Sequence, residues 1–432
     1  MAEYRLQPAA AHRLLSGRGH GSGKPVKGAE RTALALLAMM FVQTSPSEAQ
    51  TWRFNLTAEA TLPDWQGVSP DSTFDAIRGY GFETRAGDHK VFSVATPEGD
   101  YAVTLWPVAQ GPMSVWAESR RLMARSVEGP VRFTVNVRRP ELGPSALDGS
   151  GGPQVQLNAR ELGSRSWDDR LTLAYDRPVA RIEIVPVTEI RLVLLGDSTV
   201  ADQGEGDYFS WGQMLPRFVD RTVSVANHAE SGESLKSFLK SQRLDKALSQ
   251  LRPGDVVLIQ FGHNDSKAQY ALTYAEAETT FRSYLRLYVD EIRRRGASPV
   301  LVTSPHRRTF NPDGRIRNSH GSYPEATRAV AREQTVPLID LTLATARLYE
   351  ALGPQGSRQA FADSGKDGSH HNAYGAYLLA WAVADGLRAV DAPIADRIST
   401  EVPVLDLDNP PAYENFDLKL LPSQPTQRPA GS

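Results

Sequence analysis

From Arg191 onward, short apolar runs alternate with helix-length amphipathic segments. The runs cover 192–195, 223–226, 256–261, 300–303 and 338–339. Strand–helix–strand alternation of this kind implies a parallel sheet with helices on both faces. Thr273-Tyr274-Ala275-Glu276 has the pattern of a capping box, opening a helix that runs to about Arg295 and stops at Gly296. A second, apolar helix spans 374–387. Ligands of such sheets bind beyond the carboxyl ends of the strands. The loops that follow the apolar runs are therefore where chemistry is expected.

The preceding stretch, 52–187, has period two instead. Residues 90–94, 101–105, 132–138, 170–175 and 181–185 alternate apolar and polar side chains, with turn signals such as Pro97-Glu98-Gly99-Asp100 between them. Short alternating runs with such punctuation predict an antiparallel β-sandwich. The Gly/Pro/Ser-rich stretch 143–154 reads as a long surface loop, and no catalytic constellation appears in this half. The expected organisation is an export segment at 1–49, a β-domain at 52–187, an α/β domain at 190–396 and a tail at 397–432. The Asn409-Pro410-Pro411 run and the Pro- and Gln-rich end suggest that the tail is tethered or disordered.

Residues 33–42 read ALALLAMMFV, preceded by Lys24, Lys27 and Arg31 and followed by Ser47-Glu48-Ala49. A basic flank, a short apolar core and a small-x-small site describe a cleavable signal peptide. Ten residues are too few to cross a bilayer, which takes about 20. The expectation is a secreted or periplasmic protein with no membrane association after cleavage. The 48 basic and 50 acidic residues give a formal charge of −2, so no basic excess exists to neutralise nucleic-acid phosphates. The chain has no cysteine, which excludes disulfides, thiolate metal ligands and a cysteine nucleophile.

Four polar clusters fall at the sheet edge. The first strand ends in Gly196-Asp197-Ser198-Thr199, the second is followed by Glu230-Ser231-Gly232, and the third by Gly262-His263-Asn264-Asp265. Asp367-Gly368-Ser369-His370 precedes the apolar helix. Each cluster alone could be a turn or a helix cap. Together, in this order, they carry the groups that acyl transfer needs. A serine hydroxyl requires an adjacent base, a histidine supplies it, and a carboxylate fixes the tautomer. The developing oxyanion needs donors, for which the amides of Ser198 and Gly232 and the side chain of Asn264 are candidates.

The ordered set resembles the SGNH (GDSL-like) hydrolase superfamily, named for Ser, Gly, Asn and His in four blocks. The segments LLGDSTVADQ, YFSWGQMLPRF, NHAESGESLKSF, IQFGHNDSK and HHNAYGAYLLA are similar to the rhamnogalacturonan acetylesterases in particular. IRGYGFE and AESRRLMARSV look like the β-rich, galactose-binding-like domain often fused before such esterases. The resemblance implies a flavodoxin-like three-layer parallel sheet preceded by an all-β sandwich. It implies Ser198 as nucleophile, His370 as base, Asp367 as its carboxylate, and an oxyanion hole from Ser198, Gly232 and Asn264. It also implies a secreted enzyme acting on acetylated plant cell-wall polysaccharide, with no cofactor or metal required.

Several points stay open at this level. His371 adjoins His370, though the three-residue spacing from Asp367 favours His370. Ser231 and Ser234 flank the glycine. His306, Arg307 and Arg308 follow the fourth strand, where they could bind uronate carboxylates or lie in a solvated loop. Trp211 and Tyr208 could stack on a sugar or pack in the core. The same chemistry would serve acetylated xylan, a short-chain ester or a lipid. An inactive carbohydrate-binding protein is the alternative from another class.

Overall fold

The computed structural model describes residues 50–57, 62–83, 89–143, 152–204 and 206–420. The expected export segment lies outside them, as does most of the 143–154 loop. The α/β half holds five parallel strands: β11 (Ile190–Gly196), β12 (Val223–Asn227), β13 (Val256–Gln260), β14 (Ser298–Val302) and β15 (Leu338–Ile339). Their order is β15-β14-β13-β11-β12. Counted within this set it is 2-1-3-4-5, so the order reverses at β11, where a doubly wound sheet opens its binding crevice.

Among the described residues eight α-helices accompany the sheet: α1 (Trp211–Met214), α2 (Leu235–Lys240), α3 (Arg243–Gln250), α4 (Arg282–Arg294), α5 (Tyr323–Gln334), α6 (Leu341–Gly356), α7 (Ala362–Gly365) and α8 (Ala373–Ala389). Alternate residues of β11 serve opposite faces. Leu192 and Leu194 share a cluster with Trp211, Leu348 and Leu379 of α1, α6 and α8. Val193 and Leu195 join Phe238, Leu248, Val289 and Val330 of α2 to α5. Burial on both faces explains why these strands are continuous apolar runs.

The helix expected from the Thr273 capping box begins later. The Thr273 hydroxyl donates to the Tyr270 carbonyl, and a single π-turn, Ala277–Phe281, leads into α4. Its end is as expected: α4 stops at Arg294, and Gly296, at φ +73°, donates its amide to Arg293 O.

The β-rich half comprises β1 (Trp52–Asn55), β2 (Gln66–Gly67), β3 (Tyr80–Phe82), β4 (Lys90–Ala95), β5 (Gly99–Pro107), β6 (Met113–Ala117), β7 (Arg121–Val127), β8 (Val131–Val137), β9 (Arg170–Tyr175) and β10 (Val179–Val187). It is not a separate body set in front of the α/β sheet. Strand β8 pairs in parallel with β12 at Val135 and Val225, so β8-β5-β10-β1-β2 extend the parallel strands into one ten-stranded mixed sheet. A second sheet, β3-β4-β9-β6-β7, faces this extension across a shared core that includes Val103, Phe133, Ile182, Phe92, Val115 and Leu173. The other face of the second sheet is covered too. Trp116 and Leu122 belong to the α/β cluster that holds Phe209 and Trp211.

Residues 397–420, part of the expected tail, are tethered across α8. The Trp381 indole donates to Pro403 O at 2.7 Å, the Tyr374 hydroxyl to Pro411 O at 2.6 Å, and Phe416 packs on Tyr374 and Tyr377. Val402 and Leu405 are buried. The rest of the expected tail, 421–432, lies outside the described residues.

Candidate active site

Strand β11 ends at Gly196, where a Cβ would lie 2.5 Å from the Val200 side chain and 2.9 Å from Gln260 O. Only glycine lets the chain turn so close to β13. The turn is tied by Asp197, whose backbone carbonyl accepts from the amides of Val200 and Ala201 and whose carboxylate accepts from the Thr199 amide at 3.0 Å and Gln260 Nε2 at 3.2 Å. Burial pushes the Asp197 carboxyl above its ordinary range, against these hydrogen bonds. Gln260 Oε1 in turn accepts from the Trp211 indole at 2.9 Å. This buried polar network fixes the turn that carries Ser198.

Ser198 Oγ lies 2.9 Å from His370 Nε2, and His370 Nδ1 lies 2.9 Å from Asp367 Oδ2. The second Asp367 oxygen accepts from the amides of Ser369 at 2.7 Å and His370 at 2.9 Å. Burial alone would raise the Asp367 carboxyl. The bond and charge of His370 with the two amides outweigh it and bring the group down to about 2. Asp367 therefore stays ionised and accepts the hydrogen bond from Nδ1–H, which leaves Nε2 free to accept from the serine.

The loop bearing His370 is pinned from several sides. Ala362 N donates to His370 O at 3.0 Å, Phe209 N to His371 O at 2.8 Å and Arg308 N to Gly368 O at 2.7 Å. Asn372 caps α8 by accepting from Gly375 N. His371 turns the other way, with Nε2 2.6 Å from the Tyr349 hydroxyl. Burial and the neighbouring His370 depress its pKa to about 3, so it is neutral, and its ring nitrogen is engaged by Tyr349 and not by Ser198.

Gly232 follows β12 at φ +83°, a left-handed conformation that favours glycine. Among the described residues the amides of Ser198 and Gly232 donate to no protein acceptor. Asn264 Nδ2 donates to Glu233 O at 2.9 Å, which orients the amide and leaves its second proton. Asp265 ties the second and third loops together, accepting from Leu235 N and Gly262 N at 3.0 Å each. Burial pushes this carboxyl up to about 8. Ser231 Oγ accepts from Gln203, and Ser234 caps α2. Neither serine meets a base.

The side chains suggested as sugar contacts behave differently. Trp211 is 1% exposed and belongs to the core and the Gln260 network, not to a substrate surface. His306 is buried, with its amide donating to Thr345 Oγ1. Arg307 donates to Ser319 O and to His263 O, bracing the Asn264 loop. Arg308 Nη2 donates to Gly365 O, bracing the His370 loop. Tyr208 sets its ring edge-on to His370 at 5.9 Å. A polar cleft of about 360 Å³ opens beside it, lined by Arg138, Arg160, Glu161, Trp167, Gln203 and Glu230. Sequence reasoning passed over Gln203. Its Nε2 donates to Ser198 O at 2.7 Å and Ser231 Oγ at 3.1 Å, joining the first two loops. It closes the LLGDSTVADQ segment, which was the available signal.

The sequence model of the GDSL-like Lipase/Acylhydrolase family matches residues 194–378. A rhamnogalacturonan acetylesterase of Bacillus subtilis (strain 168), RhgT, is 39% identical over 222 residues, covering 48% of this chain and 94% of that protein. The chain belongs to the GDSL-like hydrolase family. A second relative from the same organism, the probable rhamnogalacturonan acetylesterase YesY, is 32% identical over 49% of this chain and 98% of its own. The solved structure of Bacillus subtilis YxiM is 23% identical and covers 79% of this chain and 99% of that one, at a TM-score of 0.47. As a member of the GDSL-like family, the chain is a serine carboxylic ester hydrolase. Among the described residues no cluster of three or more His, Asp or Glu is arranged to hold a metal ion, and no helix is long and apolar enough to cross a membrane.

Proposed function

We propose that this protein is an exported carbohydrate esterase that removes acetyl groups from rhamnogalacturonan, through an acyl-enzyme on Ser198. The observation that carries the reading is the Ser198–His370–Asp367 chain of 2.9 Å contacts at the strand edge. Ser198 Oγ attacks the acetyl carbonyl while His370 Nε2 takes its proton. Asp367 holds the tautomer and stabilises the imidazolium. The amides of Ser198 and Gly232 and the Asn264 side chain receive the oxyanion, each donor worth roughly 3–4 kcal/mol of barrier. His370 then gives that proton to the departing sugar oxygen as its bond to the acetyl carbon breaks, leaving a free sugar hydroxyl and acetyl-Ser198. A water, deprotonated by the same histidine, releases acetate.

Two features support a carbohydrate substrate. Two relatives, 39% and 32% identical, are named rhamnogalacturonan acetylesterase, one of them as probable. The cleft beside Tyr208 is lined largely by charged and polar side chains, which suits a hydroxylated polymer better than an acyl chain. The same centre would act on acetylated xylan, so the substrate is decided by assay. The test is acetate release from acetylated rhamnogalacturonan and acetylated xylan, side by side, with Ser198→Ala as control. Release chiefly from the pectic polymer, abolished by the substitution, is the expected result. Faster release from xylan would overturn the substrate, and full activity in Ser198→Ala would overturn the mechanism. Export rests on the 33–42 apolar run, and N-terminal sequencing of the mature protein would test it.

A further inference from the structure

The hairpin between β6 and β7 belongs to the β-rich half, yet its tip enters the catalytic loops. Glu118 and Arg120 both adopt positive φ, 53° and 61°, to make that tip. Arg120 is 4% exposed. Its guanidinium donates to Gln203 O at 2.9 Å, Gly206 O at 2.9 Å and Tyr208 O at 2.8 Å, and it lies 4.2 Å over the Phe209 ring. Next to it, Ser119 O accepts from Gln213 Nε2 at 2.6 Å, and the same nitrogen reaches Gln203 O at 2.8 Å. Arg121 Nε donates to Asp202 Oδ2 at 2.7 Å.

The loop so gripped touches both ends of the proton path. Through Gln203 it holds the Ser198 carbonyl and Ser231, the neighbour of Gly232. Through Tyr208 it walls His370, and through Phe209 N it holds His371 O. The Ser198–His370 contact joins residues 172 positions apart on two different loops. Residues 202–204 and 206–209 contact both loops.

We propose that Arg120 is a positioning residue of the hydrolase centre, so that the β-rich half completes the active site and does not merely precede it. The proposal rests on the Ser198–His370 reading above. Three directed carbonyl bonds from one planar cation set the path of the loop, and the loop sets the serine relative to its base. A misplacement of about 1 Å from a residue remote from the chemistry can cost about 100-fold in rate.

The experiment compares full-length Arg120→Ala, Arg120→Lys and Val103→Ala with wild type on 4-nitrophenyl acetate, well below the melting temperature of each. Val103 is a core residue of the β-rich half, away from the catalytic loops. Arg120→Ala is expected to lower kcat by about 100-fold with KM within about twofold. Arg120→Lys, which keeps the charge and part of the bonding, should recover about tenfold of that loss. Val103→Ala should melt earlier but turn over like wild type. A purely structural role for Arg120 would reproduce the Val103→Ala pattern, and kcat within about twofold of wild type in Arg120→Ala overturns the proposal. Should Arg120→Ala fail to fold, Arg120→Lys carries the test, with a loss of about tenfold supporting the proposal and wild-type kcat refuting it. Ser198→Ala in the same assay keeps the two readings apart. Turnover persisting there refutes the nucleophile assignment, whereas a dead Ser198→Ala beside a fully active Arg120→Ala refutes only the positioning role.

Discussion

Replacing Gln203 by Leu tests how the nucleophile is held. Gln203 is 2% exposed and makes three side-chain hydrogen bonds: to Ser198 O at 2.7 Å, to Ser231 Oγ at 3.1 Å and from Arg160 Nη1 at 2.9 Å. Leucine fills nearly the same volume, so the change removes bonds without opening a cavity. At about 1 kcal/mol net for each bond the loss is about 3 kcal/mol, moderated by the added apolar burial and increased by the Ser198 carbonyl left unpaired. The rate should suffer separately. Without the bridge, the Ser198 loop and the Gly232 loop lose one of their ties, beside the Asn227 bond to Val200 O and the Glu230 amide bond to Gly196 O, and kcat should fall between about 10-fold and 100-fold. Gln203→Glu should be worse for the nucleophile, because a carboxylate oxygen would then face the Ser198 carbonyl, two acceptors with no proton between them. Ser231→Ala, which removes one 3.1 Å bond, should cost about 1 kcal/mol and little rate. Urea unfolding and turnover of 4-nitrophenyl acetate read the two effects independently. A Gln203→Leu protein with kcat/KM within about twofold of wild type, beside an inactive Ser198→Ala, would show that the two loops are aligned by something else.

Three further substitutions probe other links. Glu118 is buried and its carboxyl is raised to about 8 by burial, with Asp168 adding and Arg121 opposing. Its contribution to stability is complete below the ordinary 4.5 and is lost as pH rises towards 8, so Glu118→Gln should gain on wild type across that window, by a few kcal/mol at the top, in melts taken at several pH values. Gly375→Ala would place a Cβ 2.0 Å from Ala360 O, a backbone atom that cannot yield. It should cost about 1–3 kcal/mol despite the better helix propensity of alanine, and it should lower kcat because Ala362 N holds His370 O. Tyr349→Phe removes the 2.6 Å contact to His371 and should lower stability by about 1–2 kcal/mol in denaturant titration while leaving kcat within about twofold.

What could be read from the sequence follows the physics of burial. The five parallel strands were visible because strands covered on both sides must be apolar throughout, and each polar cluster stood out against the run before it. The triad was visible because its residues sit at strand ends and one helix start. The β6–β7 hairpin was not. Met113–Ala117 is buried along its whole length, one side in the β core and the other against Phe209 and Trp211, so its alternation vanished. The pairing of Val135 with Val225 across 90 positions has no local signature, and so the shared sheet was not anticipated. Residues 397–420 look like a linker by composition, but Ile398, Val402, Leu405, Leu407, Phe416 and Leu418 join the cluster that holds the buried face of α8. Trp211 stayed open because an indole near a serine loop suits a sugar or a core. Its single N–H, satisfied by Gln260, decides for the core.

The burial that hides such contacts also sorts the histidines. His228, His263, His306, His320 and His371 are all less than one-tenth exposed, and burial holds each pKa below the ordinary imidazole value. The ring partners that three of them find are the Pro305 carbonyl, the Tyr349 hydroxyl and the Arg307 guanidinium. His263 and His320 both lie against Pro305 O, at 3.0 and 2.9 Å, with Arg307 beside them. A proton placed on any of them would meet desolvation and, in most cases, a nearby positive charge. His370 is as buried as the others, yet a carboxylate held at about 2 stands 2.9 Å from its Nδ1. That ionised partner is what makes a buried imidazolium affordable for the moment of reaction. The chemistry therefore depends less on having a histidine near Ser198 than on the loop that delivers Asp367 with it, and on the braces from Arg308 and Phe209 that keep the loop in place.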